Sequence, residues 1–557
     1  MHLPLKKAAL SALLLLLTVP GLVMAAAPEL PVALADRLPN DLDVLAVVAD
    51  RERLEADWSA IVAQVGKLKD DGESPWPEVA SLLDQVPDPW RQAIDRRRPC
   101  VLGVRLPDIF AGISARRWLA LPVLDSDRDW SMLAAMRGFA GADVADGYVV
   151  LSDDADWVAV GGGNRLLAEL PVGTVSVAVD MQRLWVRVEP ILTMLDQVQA
   201  LADTSAAGLP GQVERRALFD LLRTSLPSGD VASVALTVEG PDVVLRQVLK
   251  VLPGSDLEAP GQPDLAAALE LSRALPADAA LVGAWAVDLP GYWRLYSTYY
   301  RALLAPHFRA NDDVRQMLDA MFSGAAQAMA AAATAQVIVD GALVTVTVTK
   351  VPDPKAFALA VVYVHAFAAA ATPYVTAVPV DDETIEGVFV SGLDYDYDPE
   401  HLFAALVAED SSLVAVDPQL VASLAQAWLP GVRWAVRDGF VYLAWCRDAA
   451  VIARMVEQAG RAGCTVHPAL ERAAAEAGPG CQVVMTGDLG RMLSGVLNTL
   501  QGVKPDLPER AALPEAKVTL ATAFVGTHCR QEVRLDLAGF GRFVDAIVAF
   551  DRGSAGD

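Results

Sequence analysis

Short apolar stretches punctuated by Gly, Pro and Asp make up most of the chain, and two periodicities alternate along it. In ASVALTVEGPDVVLRQVLKV (232–251) and AQVIVDGALVTVTVTKV (335–351), β-branched residues flank a GP or DG pair, which is the pattern of a tight hairpin. Between such pairs the period lengthens to that of an amphipathic helix, as in DWSMLAAMRGF (129–139), DPKAFALAVVYV (353–364) and HPALERAAAEAG (467–478). Strands that return through short turns lie antiparallel. The expected fold class is therefore α+β, internally duplicated, with largely antiparallel sheets and helices packed on one face.

One unit of turn, strand, aspartate and helix occurs four times: LPNDLDVLAVVAD ending at Asp50, LPVGTVSVAVD at Asp180, LPADAALVGAWAVD at Asp288 and GPGCQVVMTGD at Asp488. From turn proline to aspartate the spacings are 11, 9, 12 and 9 residues, so the first copy matches the third and the second matches the fourth. That order predicts a duplicated half rather than four equal repeats. Five residues after the aspartate, Trp185, Trp293 and Leu493 suggest one buried helix position. An aspartate at a strand-to-helix corner accepts backbone N–H bonds and complements the helix N-terminus, so capping is the expected role of all four. DGYVVL (146–151) also resembles DGFVYL (438–443), and Arg246-Gln247 resembles Arg530-Gln531.

These pairs place the first α+β half at 28–251, a Pro- and Gly-rich linker at 252–263, and the second half at 264–557 with an insertion at about 360–432. The uncharged run at 356–380 reads as a buried helix, since it is mostly alanine and reaches Pro373 too soon to span a bilayer.

Residues 1–27 put Lys6 and Lys7 ahead of an apolar run that ends in small residues, the order of a cleaved secretory signal. The competing reading is an uncleaved anchor, because residues 8–27 approach the roughly 20 apolar residues a membrane span needs. A net charge of -25 disfavours nucleic-acid partners, and the dense basic run Arg96-Arg97-Arg98 reads as a solvated turn. No integral span is expected once the signal is removed. In an exported chain, Cys446, Cys464, Cys481 and Cys529 either form two disulfides, with Cys464–Cys481 the preferred pair, or remain buried thiols.

Candidate chemistry concentrates in DYDYDPEH (394–401). If this segment is extended, Asp394, Asp396 and Asp398 share a face and offer oxygen ligands to Ca²⁺, while the competing reading is a strand end followed by a capped helix start. Tyr292, Tyr296 and Tyr299 share a helical face beside Trp293 and Tyr300, which reads as core packing or, if exposed, as a platform for a glycan. Signatures such as GxSxG, HExxH and Walker A are absent, and no catalytic residues are assigned.

LPNDLDVLAVVADRERLEADW resembles the start of uncharacterised secreted bacterial proteins of unknown function, in which LPxD-strand-helix units recur. That resemblance brings no activity with it. The sequence thus leads to a periplasmic or secreted envelope protein of the binding or scaffold kind, with an envelope protein or glycan as partner. Its alternatives are an extracytoplasmic hydrolase using carboxylates or a metal, and a glycan-binding module.

Overall fold

Tight turns and alternating apolar residues build antiparallel sheet throughout. The computed structural model describes residues 30–65, 87–108, 112–154, 157, 164–203, 223, 226–255, 258, 265–286, 331–339, 341–350, 353–356, 358, 374–409, 417–461, 465–478, 480–503 and 513–554. The chain divides into two compact units. Unit 1 comprises 1–196, 226–258 and 522–557, and unit 2 comprises 197–225 and 259–521.

Unit 1 contains β1 (Val44–Val48), β2 (Cys100–Arg105), β3 (Arg116–Pro122), β4 (Gly141–Ala145), β5 (Tyr148–Ser152), β6 (Val175–Asp180), β7 (Gly229–Glu239) and β8 (Asp242–Val251). Unit 2 contains β9 (Leu281–Trp285), β10 (Ala331–Val339), β11 (Ala342–Lys350), β12 (Val375–Ile385), β13 (Val388–Tyr397), β14 (Gly431–Arg437), β15 (Phe440–Ala444) and β16 (Cys481–Asp488). The division between units falls within β17 (Lys517–Val525), and β18 (His528–Asp536) belongs to unit 1. The C-terminal stretch therefore groups with the first half rather than the second, because β18 pairs antiparallel with β8.

In unit 1 the strands are paired in the order β4-β5-β3-β2-β1-β6-β7-β8-β18. In unit 2 the order is β12-β13-β14-β15-β11-β10-β9-β16. Without β12 and β13, the second order repeats β4-β5-β3-β2-β1-β6, so the fold is α+β, antiparallel and internally duplicated. The extra hairpin β12–β13 and the helix Pro399–Glu409 fall within the sequence assigned to the insertion. Val375–Val380 lies in a strand, which corrects the reading of 356–380 as a buried helix over its last residues; 357 and 359–373 lie outside the described residues. Pro379 disfavours a helix interior there, and β-branched Val375, Thr376, Val378 and Val380 favour extended chain.

The two resembling hexapeptides occupy the same hairpin. Asp146 and Gly147 join β4 to β5 with φ of 54° and 74°, and Asp438 and Gly439 join β14 to β15 with φ of 53° and 83°. Positive φ at both central residues is the type I′ geometry that Asp-Gly supplies. Arg246 and Arg530 are not equivalent, since they stand six and four residues after the turn glycines Gly240 and Gly526.

The unit 1 sheet carries an apolar core on each face. Trp118 and Ala120 of β3 join a core with Leu34 of the helix Val32–Ala35, whereas Leu119 and Leu121 face a core with Trp130 and Leu133 of the helix Trp130–Met136. Every side chain of β5 is buried, so each face requires its own cover. In unit 2 the larger core gathers Val337, Val346, Ile452 and Leu470 on one face, and Leu393, Val432, Val441 and Leu443 form the other.

Candidate functional site

Asp394 and Asp396 alternate along β13 and so share a face, as the sequence predicts, but they meet arginines there. Asp394 lies 2.7 Å from the buried Arg433 and 3.5 Å from Arg447, which also reaches Asp396 at 3.4 Å. Asp398 stands apart. Its carboxylate accepts the N–H groups of Glu400 and His401 and pairs with the His401 ring at 2.9 Å. The His401 N–H bond and ring hold that carboxyl below its ordinary range. Asp394 and Asp396 thus share guanidiniums, while Asp398 caps the helix Pro399–Glu409. Among the described residues, no group of three or more His, Cys, Asp or Glu is placed to hold a metal ion. The aromatic positions Tyr292, Trp293, Tyr296, Tyr299 and Tyr300 lie outside the described residues, as does Cys464 of the preferred disulfide.

Cys446 and Cys529 are free thiols, so two bridges among the four C-terminal cysteines do not form. Burial pushes Cys446 up to about 11 and Cys529 up to about 12. The Cys481 thiol donates to the Val483 carbonyl.

The repeated aspartates cap as expected. Asp50 accepts the Arg53 N–H, Asp180 the Arg183 N–H, and Asp488 the N–H groups of Gly490 and Ala516; Asp288 lies outside the described residues. The arginine three residues on is a feature the sequence reading missed. Arg183 donates to the Asp41 carbonyl at 3.1 Å and Arg491 to the Asp278 carbonyl at 2.6 Å, so D-x-x-R locks onto the LPxD turn in each unit. Trp185 and Leu493 are half-buried rather than buried.

In unit 1 most charged groups are paired with one another. Arg183, Asp180, Arg165, Asp230, Lys250, Glu169 and His528 form one chain of contacts between 2.6 and 3.3 Å. The Glu169 hydrogen bond raises the Lys250 ammonium above its ordinary range. Glu239, Arg246, Glu532 and Arg534 close a second, cyclic set across β7, β8 and β18. The basic run is similarly engaged: Arg96 and Arg97 reach Glu55 and Glu52, and Arg98 stacks over the Tyr148 ring at 4.5 Å.

The units differ at one sheet edge. β1 and β9 pair at corresponding positions: Asp43 N–H donates to the Val104 carbonyl and Ala280 N–H to the Gln336 carbonyl. Two residues on stand Leu106 and Ile338, whose backbone groups point the same way, off the far edge of the hairpin strand. In unit 1 that edge is closed. Leu106 N–H donates to the Asp43 carboxylate at 2.6 Å, Arg187 donates to the Leu106 carbonyl at 2.7 Å, and Asp43 and Arg187 pair at 2.7 Å. In unit 2 the positions of Asp43 and Arg187 are Ala280 and Gly495, counted from the turn and cap contacts the units share.

Beside Ile338 lies an open cleft of about 380 Å³. Val337, Val339, Val346, Val451 and Met455 line it, with Asp278, Arg454 and Gln458 also in its wall. Gln458 ties its helix, Ala450–Gly460, to the Leu275 carbonyl at 2.7 Å, which fixes one wall against the LPxD turn. No sequence motif marks this cleft. Its signal is the difference between LPNDLD and LPADAA.

No family model matches the sequence, and no curated protein matches it. Among solved structures, crystal form III of TP0453 aligns with 50% of this chain and 97% of its own at 9% identity and a TM-score of 0.21. Likeness at that level carries no argument about fold or function.

Proposed function

We propose that this chain is an exported bacterial envelope protein, periplasmic or secreted, that binds or holds a partner and performs no reaction of its own. The observation that carries the reading is the difference between the units: an ion pair closes the sheet edge in one, and small residues beside an apolar cleft replace it in the other. Clefts with apolar walls and a few polar groups suit binding. The engagement of Asp394 and Asp396 by Arg433 and Arg447 weighs against their use as hydrolytic or metal-binding carboxylates, because a guanidinium already neutralises each.

The test is recovery of the tagged, exported chain from the envelope fraction of its own organism after crosslinking, with bound proteins and glycans identified by mass spectrometry. A reproducible stoichiometric partner is expected. Recovery of none, together with hydrolysis of an envelope substrate by the purified chain, would overturn the proposal in favour of the hydrolase.

A further inference from the structure

We propose that the β10 edge at Ile338 is a docking site for an extended peptide segment of a partner protein; this rests on the binding reading above and specifies its site. Unit 1 shows what this position needs. Leu106 needs an acceptor for its N–H and a donor for its C=O, and Asp43 and Arg187 provide one each. Ile338 has the same two needs. Its N–H and C=O face away from β11, because Val339 and Ala342 form the terminal hydrogen-bonded pair of that hairpin and backbone direction alternates along a strand. β9 ends its pairing at Leu281 opposite Gln336; Ala279, which follows opposite Ile338, turns away and gives its N–H to the Pro276 carbonyl, and among the described residues none meets the two needs of Ile338.

A residue in extended conformation presents one C=O and one N–H on the same side, the pair that Ile338 requires. A free anion brings only the acceptor and an ammonium only the donor. The surroundings favour aliphatic side chains on the incoming segment, since Val337, Val339, Val451 and Met455 form the walls. Asp278 and Arg454 bring one charge of each sign, so shape and backbone pairing select the ligand more than net charge does. The volume falls near the lower end of the roughly 300–1,000 Å³ typical of ligand sites, room for a short segment. Gly495 brings no side chain to the edge: its backbone packs so close that a Cβ there would lie 3.2 Å from Ile338 Cγ1 and 3.1 Å from Leu343 Cδ1, so nothing from this helix position reaches the Ile338 backbone as Arg187 reaches Leu106.

The test uses the exported full-length chain and a phage-displayed library of random heptapeptides. Peptides selected on the wild type are synthesised and titrated by fluorescence anisotropy against Ala280→Asp/Gly495→Arg, which rebuilds the unit 1 pair, and against Ile338→Pro. The proline removes the outward N–H while leaving the ladder to β11 intact, as edge strands tolerate. Aliphatic peptides that bind the wild type should lose measurable binding to the rebuilt variant. Loss of one backbone hydrogen bond in Ile338→Pro should weaken them about fivefold, and N-methylation of a single alternate peptide amide should do the same. Failure to select any peptide, or equal binding to wild type and Ile338→Pro, would overturn the proposal even where the rebuilt variant does not fold. Self-association of the wild type that Ile338→Pro abolishes would overturn it in favour of a second copy. A crosslinked partner whose binding is unaffected by Ile338→Pro would leave the binding reading standing and remove this site.

Discussion

Arg187→Ala should be among the most damaging single substitutions in unit 1, because of what it leaves behind. Asp43 is fully buried, with its carboxylate 2.7 Å from Arg187 and accepting one N–H, from Leu106. Without the guanidinium a buried charge is left uncompensated, a loss of about 3–5 kcal/mol. At roughly 2–4 °C per kcal/mol for a unit of this size, the transition that includes unit 1 should fall by about 10 °C. Asp43→Ala should cost about 2 kcal/mol, through the unpaired Leu106 N–H and the unpaired arginine. Removing both residues leaves no buried charge, so the double variant should be more stable than the sum of the single losses implies, by at least about 2 kcal/mol. Differential scanning calorimetry of the four proteins completes the cycle. Additive losses, or an Arg187→Ala shift below about 2 °C, would show that Asp43 does not depend on Arg187 for its charge compensation.

Other outcomes follow from the same physics. Although burial pushes Glu239 up, Arg246 and Arg534 outweigh it and hold the carboxyl below its ordinary value, so its stabilisation exists at neutral pH and is lost as pH falls through that lowered value. Glu239→Gln should therefore lower the Tm at pH 7 and not at pH 3. Asp242 behaves oppositely, since burial and the charges of Asp536, opposite it, and Glu239 raise its carboxyl. Its cost appears as pH rises through the raised value, and Asp242→Asn should raise the Tm at pH 7 but not at pH 3. Burial holds the Cys100, Cys446 and Cys529 thiols up at about 11, 11 and 12, so iodoacetamide at pH 8 should leave them unmodified in the folded chain and label them after denaturation without reductant. β12 pairs among the described strands only with β13, and Pro379, a bulge between Val380 and Glu383, and the run Asp381-Asp382-Glu383 interrupt its free edge. Pro379→Val/Asp381→Thr/Asp382→Thr should self-associate in sedimentation velocity where the parent does not.

The features legible in the sequence are those set by neighbours along the chain. Asp-Gly turns at 146 and 438, the caps Asp50, Asp180 and Asp488, and the hairpins β7–β8 and β10–β11 each depend on a few contiguous residues. The pairing of copies by turn-to-aspartate spacing matches β1 with β9 and β6 with β16. What resisted reading depends on partners distant in sequence. Asp394 and Asp396 read as open carboxylates because Arg433 and Arg447 come from beyond the next helices. The end of the run at 356–380 misled because an uncharged apolar stretch suits helix or strand, and Pro379 marks an edge only once β13 is known to lie beside it. The two cores of unit 1 are legible in β5, whose unbroken apolar run signals burial on two sides. The cleft at Ile338 escaped notice because its mark is a loss, Asp43 becoming Ala280 and Arg187 becoming Gly495.

Amide hydrogen exchange at Leu106 and Ile338, resolved by fragmentation mass spectrometry on the isolated chain, reads the closed and the open edge side by side. Leu106, closed by Asp43, should be protected, and Ile338 should exchange near the rate of an unstructured amide. Equal protection at the two positions would mean that unit 2 closes its own edge, and would contradict an open edge at Ile338.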